Sequence, residues 1–362
     1  MSTKKRTQLS IIVVLIIVIF GVGYFLHSTF NKTNTNVAQQ TSQSKNSTRE
    51  ITDMDGNKVT IPAKVERVGT SWPGFCNVIF TVGGGNKLSS APQQLKKYPW
   101  AVKLFPNIKN IDYPFAGKTN IEELIKSKPD VVFLRKGDEI QKIKESNIPV
   151  VMIDYKNNNI EDVINAVVLT GKVLGDNEYK KALAYKTYFN KNIKNISSVT
   201  SKLQEKDKSK TIYLSVSGQA SVWGKNTPQD EAIRIAGGIN VAANDIDGYK
   251  EVSIEQILKW NPDVIVIEGN SKENKMMNDS SWQQLKAVKD NKVFISPNGV
   301  FAWARLGSES SLQLPWLAKT LYPEEFKNID ISKETKYFYN EFFNYKLTDD
   351  ELSKILNAQN PS

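Results

Sequence analysis

The pattern of apolar and polar positions in this chain is written twice. Residues 121–133, IEELIKSKPDVVF, return as IEQILKWNPDVIV at residues 254–266, with Ile, Glu, Lys, Pro, Asp and Val in register. Each copy predicts a capped helix, a Pro-Asp stop and a buried strand. Asn120 and Ser253 stand where an N-cap belongs, and Glu123 and Gln256 follow at the spacing of a reciprocal capping box. Pro129 and Pro262 end the helices, because the ring removes an amide donor and disfavours helical backbone in the residue before it. VVFL and VIVI are short β-branched runs of the kind found in parallel strands covered on both faces. The cap leaves Glu122 and Glu255 unused, at the same second helical position of each copy.

The remaining pattern extends each copy into an α/β lobe. ITDMDGNKVTIP alternates about Asp55-Gly56 and predicts a hairpin, after which ERVGT enters a first sheet. Residues 74–82 suit a helix stopped by Gly83, Gly84 and Gly85, a strand follows through Leu88, and residues 93–103 predict one further helix. GDEIQKIKESNIPVVMID supplies another helix and strand. Residues 160–206 carry helical spacing without a strand. A break near Gly175 and Asp176 leaves a second helix roughly 40 Å long, able to bridge two lobes. TIYLSV opens the second lobe, DEAIRIAGG is helical with a glycine stop, KVFISP continues the sheet, and SLQLPWLAKTLYP is a late amphipathic helix. Aromatic-rich closing helices are expected beyond Phe326. The predicted fold is α/β, with two Rossmann-like lobes of mainly parallel strands joined by a long helix and preceded by a transmembrane helix. The expected division is a cytoplasmic head at 1–9, a transmembrane anchor or signal at 10–27, a flexible linker at 28–50, lobes at 51–159 and 207–326 flanking the helical segment at 160–206, and a helical extension at 327–362.

The anchor is read from residues 11–26, IIVVLIIVIFGVGYFL, preceded by Lys4, Lys5 and Arg6. The run is long enough to cross a bilayer, and the basic residues predict that its amino side stays cytoplasmic. It is followed by no good small-residue cleavage site and no cysteine suited to lipid attachment, so an uncleaved anchor is favoured over a cleaved signal, with the globular part outside the membrane in either case. Of the net charge of +10, half is supplied by the first fifty residues, and no basic run is interleaved with aromatics. Nucleic acid is therefore not expected as a partner. The single cysteine, Cys76, excludes an intrachain disulfide framework and reads as a buried hydrophobe.

Candidate chemistry is narrowed by what is missing. The only histidine, His27, adjoins the apolar run, which removes imidazole bases, triads and His-metal sites from the globular part. No catalytic residue, metal site or cofactor is expected. TVGGGNK lacks phosphate-loop spacing and reads better as a helix stop. Aromatic and basic residues, by contrast, follow strand after strand: Trp72 after RVGTS, Arg135 and Lys136 after VVFL, Tyr213 and Trp223 along YLSVSGQASV, and Trp303 and Arg305 after VFISPNGVFA. Ligands of open parallel sheets bind beyond the carboxyl ends of strands, so Trp72, Arg135, Tyr213, Trp223, Trp303 and Arg305 are the candidate ligand-binding residues. Flat rings offer stacking area and guanidinium groups suit carboxylate or catecholate oxygens.

With these residues in view, the chain resembles the substrate-binding proteins of ABC importers for iron-siderophore complexes, haem and vitamin B12, the class with a rigid interlobe helix. TDMDGNKVTIPAKVERVG, NIEELIKSKPDVVF, IRIAGGINVA, VSIEQILKWNPDVIVI, WQQLKAVKDNKVF and LAKTLYPEEF carry the resemblance over roughly residues 50–326. It implies a shallow cleft, limited lobe closure, and an acid on each lobe that docks onto permease arginines, here Glu122 and Glu255. The function expected is capture of a metal chelate, a ferric siderophore-type complex above all, by a monomer that delivers it to a permease and its ATPase. A corrinoid or another metal chelate is the alternative within this class. Outside it stand a tethered hydrolase using Glu122 and Glu255, and a signalling ectodomain, for which the short head before residue 11 leaves no output domain.

Overall fold

The computed structural model describes residues 47–215, 220–268 and 280–362. The apolar run expected to form the transmembrane helix lies outside the described residues. Among those described, no helix is long and apolar enough to cross a membrane. Residues 50–61 and 65–362 form one compact unit.

The strands make a two-stranded sheet and two separate six-stranded sheets. β1 (Thr48–Thr52) and β2 (Lys58–Pro62) flank the hairpin turn, where the Asp53 carboxylate accepts from the amides of Asp55 (3.0 Å) and Asn57 (2.8 Å). The first sheet contains β3 (Val68–Thr70), β4 (Leu88–Pro92), β5 (Asp112–Ala116), β6 (Lys118–Thr119), β7 (Val131–Leu134) and β8 (Val150–Met152), in the order β6-β5-β4-β3-β7-β8. All its neighbours are parallel except β5 and β6. The second sheet contains β9 (Lys210–Ser215), β10 (Ser221–Trp223), β11 (Ile239–Asn240), β12 (Tyr249–Glu251), β13 (Val264–Glu268) and β14 (Val293–Ile295), in the order β12-β10-β9-β13-β14 with β11 also on β9. Here β9, β11, β13 and β14 run parallel, and β10 turns back antiparallel.

The repeat explains how each sheet is set. Helices Ile121–Lys126 and Ile254–Trp260 begin at the expected caps: Asn120 accepts from the Glu123 amide at 3.1 Å and Ser253 from the Gln256 amide at 3.3 Å. The return half of the capping box is not made. The Glu123 carboxylate accepts from the Tyr113 amide instead, the Asn120 amide donates to the Pro114 carbonyl, and the Gln256 amide group donates to Asp245. Lys128 and Asn261 take positive φ just before the prolines, and β7 and β13 follow, buried throughout. The aspartates of the two Pro-Asp stops do more than end helices. Asp130 accepts from the amides of Glu66 (2.7 Å) and Arg67 (2.9 Å), and Asp263 from that of Lys210 (3.0 Å). Each acid thus anchors the start of the neighbouring parallel strand, β3 or β9, and fixes its register.

Between the sheets, helix Ile160–Leu174 ends at Gly175 and helix Asp176–Thr200 follows, about 38 Å long at 1.5 Å per residue. The two pack so closely that a Cβ at Gly171 would lie 2.6 Å from that of Ala182. Residues 93–103 do not form one helix: Pro99 interrupts it, leaving a 3-10 turn at Gln93–Lys97 and helix Pro99–Leu104. The closing helices Ile331–Phe342 and Asp349–Leu356 reach both lobes. Trp100 Nε1 donates to the Gln359 carbonyl (2.9 Å) and Lys103 pairs with Glu351 (2.9 Å) on one side, and the Asn298 amide donates to the Ile355 carbonyl (3.1 Å) on the other. One apolar core runs through both lobes, the long helix and this tail.

Candidate ligand-binding site

β3 delivers Trp72 to the N-cap of helix Pro73–Thr81, and its ring becomes the centre of an edge-to-face aromatic cluster. Phe75 stands 5.0 Å away, Tyr155 from the loop after β8 at 5.8 Å, and Phe301 from the second lobe at 5.7 Å. Tyr98, at the Pro99 break, packs on Phe301 from the other side at 5.5 Å. The aromatic floor is therefore built by both lobes. Arg135, the first residue after β7, is exposed and holds its guanidinium 5.9 Å from the centre of the Trp72 ring. Its loop is fixed by Asp138, which accepts from the Arg135 amide at 2.9 Å and from the Ser71 hydroxyl.

The second lobe contributes an ion pair. Glu268 ends β13 with 5% of its side chain exposed and accepts from Nε of Arg305, which is 49% exposed. Burial works against the charge of Arg305, and the carboxylate of Glu268 more than offsets it, so the guanidinium holds its proton more firmly than usual. Tyr98 feels the same pair: burial lifts its hydroxyl above the ordinary range, with Arg305 pulling it down and Glu268 pushing it up. Arg305 also lies within the field of Tyr249, whose half-exposed ring packs on Trp223 at 4.3 Å. The cleft thus has Trp72, Tyr98 and Arg135 on one lobe and Phe301, Arg305, Trp223 and Tyr249 on the other.

Two expected ligand residues sit elsewhere. Tyr213 is fully buried, with its hydroxyl accepting from Gln313, and Trp303 is fully buried in the core. Neither has surface to offer. Glu122 and Glu255 are both exposed in the first turns of their helices, and Glu255 is held below the usual carboxylate range by the Ser253 hydroxyl and a helix amide. The glycines after helix Pro73–Thr81 spend their amides closing the helix, Gly83 on the Phe80 carbonyl and Gly84 on that of Ile79. They form a stop rather than a phosphate cradle. Cys76 is buried, and burial raises its thiol. Among the described residues no group of three or more His, Cys, Asp or Glu could hold a metal ion. A groove of about 570 Å³ lined by Asn157, Asn159, Lys225 and Arg234 has no aromatic wall.

Sequence reasoning did not find Tyr98, Tyr155, Tyr249, Phe301 or Glu268. Glu268 carried a signal: an acid closing the otherwise apolar run VIVIE. Tyr98 and Phe301 follow no strand directly and carried none.

Comparison with known proteins decides the family. The Periplasmic binding protein family profile matches residues 82–299, more than half of the chain. The chain belongs to the periplasmic binding protein family. It is similar to the molybdate-binding protein MolA of Haemophilus influenzae, 29% identical over 84% of this chain and 94% of that protein. The structure of MolA bound to molybdate superposes with a TM-score of 0.74 at 27% identity, covering 83% of this chain and 99% of that one. A periplasmic solute binding protein from Veillonella parvula gives a TM-score of 0.77 at 28% identity, covering 86% and 97%. The iron(3+)-hydroxamate-binding protein YxeB of Bacillus subtilis is 26% identical over 70% of this chain and 81% of its own length. The protein is accordingly a substrate-binding protein of an ABC transporter, and not an enzyme. Proteins of this periplasmic binding protein family deliver small ligands to permeases.

Proposed function

We infer that this protein captures an anionic, oxygen-rich metal complex between its lobes, a ferric siderophore-type chelate above all, and hands it to an ABC permease. The observation that carries this reading is a guanidinium set near aromatic residues on each lobe, Arg135 over Trp72 and Arg305 within the fields of Tyr98 and Tyr249. A metal chelate presents both faces such a site recognises: a flat or greasy ligand shell for the rings and charged oxygens for the arginines. The name of MolA brings in a molybdate-type oxyanion, and that of YxeB a ferric hydroxamate, which is neutral as a tris-hydroxamate but presents negatively charged ligand oxygens around its metal. A corrinoid suits the site less, because a bulky macrocycle that holds its metal through nitrogens offers no set of charged oxygens to the Arg135 guanidinium. Glu122 and Glu255 are the docking acids for the permease in this reading. Residues 11–26 tether the domain outside the cytoplasmic membrane.

Titration of intrinsic tryptophan fluorescence tests it, because Trp72 and Trp223 lie in the cleft. Saturable quenching is expected with ferric hydroxamate or ferric citrate, with a smaller response to molybdate and none to cobalamin. Arg135→Ala should weaken the iron complex about tenfold, the effect of losing a charged hydrogen bond of about 1.4 kcal/mol or more. Quenching by cobalamin alone, or none by any anionic complex, would remove the proposal.

A further inference from the structure

Glu268 is the most unusual group in the cleft. Its side chain is nine-tenths buried at the end of β13, and one carboxylate oxygen, Oε1, accepts from Arg305. The other, Oε2, is buried and has no hydrogen-bond partner among the described residues. Among the described residues the donor that reaches this carboxylate is Nε of Arg305, on Oε1, while the buried hydroxyl of Tyr213, whose field it enters, accepts from Gln313. A buried carboxylate oxygen left without a donor is costly, and natural proteins leave such groups where a ligand or another function uses them. The pair also sets the charge of the site. Glu268 cancels Arg305, so Arg135 is the cleft cation without an ion pair among the described residues.

Building on the reading of the cleft as a metal-complex site, we propose that Glu268 determines which complexes enter. Oε2 takes a hydrogen bond from a donor on the ligand, such as an amide N–H or a hydroxyl, while the ligand's charged oxygens meet Arg305 and Arg135. A bare oxyanion offers no donor and places its own negative oxygens against an acceptor that repels them. Specificity then comes from an unfavourable contact as much as from a favourable one. The site accordingly prefers a chelate whose organic shell carries donors over an oxyanion of the molybdate kind.

The test compares full-length wild type with Glu268→Gln in titrations against two defined probes. Ferrichrome is a ferric hydroxamate whose peptide ring carries amide N–H groups, and sodium molybdate is a dianion without donors. Wild type should bind ferrichrome more tightly than molybdate. In Glu268→Gln, which keeps size and removes the charge, molybdate should bind about tenfold more tightly and ferrichrome about tenfold more weakly, so the preference narrows or reverses. Melting temperature and circular dichroism report whether the variant folds. Should it not, the Glu268→Gln/Arg305→Gln double variant removes both charges together and should lose the preference while weakening both ligands. If the variant shifts both ligands equally, or wild type binds molybdate more tightly than ferrichrome, the role of Glu268 is refuted while the receptor reading stands. If wild type binds neither, both fall.

Discussion

Replacing Glu309 by alanine is expected to destabilise the protein by about 4 kcal/mol and to loosen the joint between its lobes. Glu309 is fully buried at the start of helix Ser310–Leu321. Its carboxylate accepts from Asn77 of the first lobe (3.1 Å), from the amides of Val300 (3.2 Å) and Phe301 (2.6 Å) in the second, and from the Tyr339 hydroxyl of the tail (2.6 Å). The approach is close enough that a Cβ on Gly299 would fall 1.9 Å from the Tyr339 oxygen. Removing the acid strands buried donors from three parts of the molecule at once, and each costs about 1–3 kcal/mol when left unmade. A pH signature accompanies it. Burial pushes the Glu309 carboxyl up to about 7 against the pull of its donors. An acid raised in the folded state contributes stability that is fully present below its unfolded value near 4.5 and is lost as pH rises towards 7. The slope approaches about 1.4 kcal/mol per pH unit at its steepest. Urea unfolding between pH 4.5 and 8 should show this decline in wild type relative to Glu309→Gln. Parallel profiles would mean that Glu309 does not titrate in this range.

How much of this could be read from residues alone depends on whether the signal was local. The Pro-Asp repeat was legible because helix caps, proline stops and β-branched strands act over a few residues, and both copies fold that way. The second duty of Asp130 and Asp263 was not, since it links each to a strand start more than fifty residues away. Strand ends pointed to Trp72, Arg135 and Arg305, which the fold places at the cleft. The same logic included Trp303, and Tyr213 was expected beside it although it lies within β9; both turn into the core, because the path of the backbone does not decide which way a ring faces. Glu309 was invisible in sequence, because its partners Asn77 and Tyr339 come together only once the lobes and tail are assembled.

The second large effect concerns delivery rather than capture. Reversing both acids, in a Glu122→Lys/Glu255→Lys variant, is expected to reduce uptake by cells at least about tenfold while the dissociation constant of the ligand changes less than about twofold. Both residues are exposed at matching helix starts, one in each repeat, and neither belongs to the aromatic cleft. The substitutions put positive charge at helix amino termini, which costs a few tenths to 1 kcal/mol per site and leaves the fold intact. Radiolabelled-metal uptake in cells carrying the cognate permease, set beside titration of the purified variant, separates the two steps. An equal loss of capture and uptake would assign these acids to the ligand site instead.

In the proposed complex a metal held by an oxygen-rich organic shell occupies the space between Arg135 and Arg305. Native mass spectrometry of the protein purified with the cargo it carries from its own cells tests this most directly. The expected result is an added mass that contains iron together with an oxygen-rich chelator, absent from an Arg135→Ala/Arg305→Ala variant. A bound cobalamin, or a cargo without any metal, would contradict it.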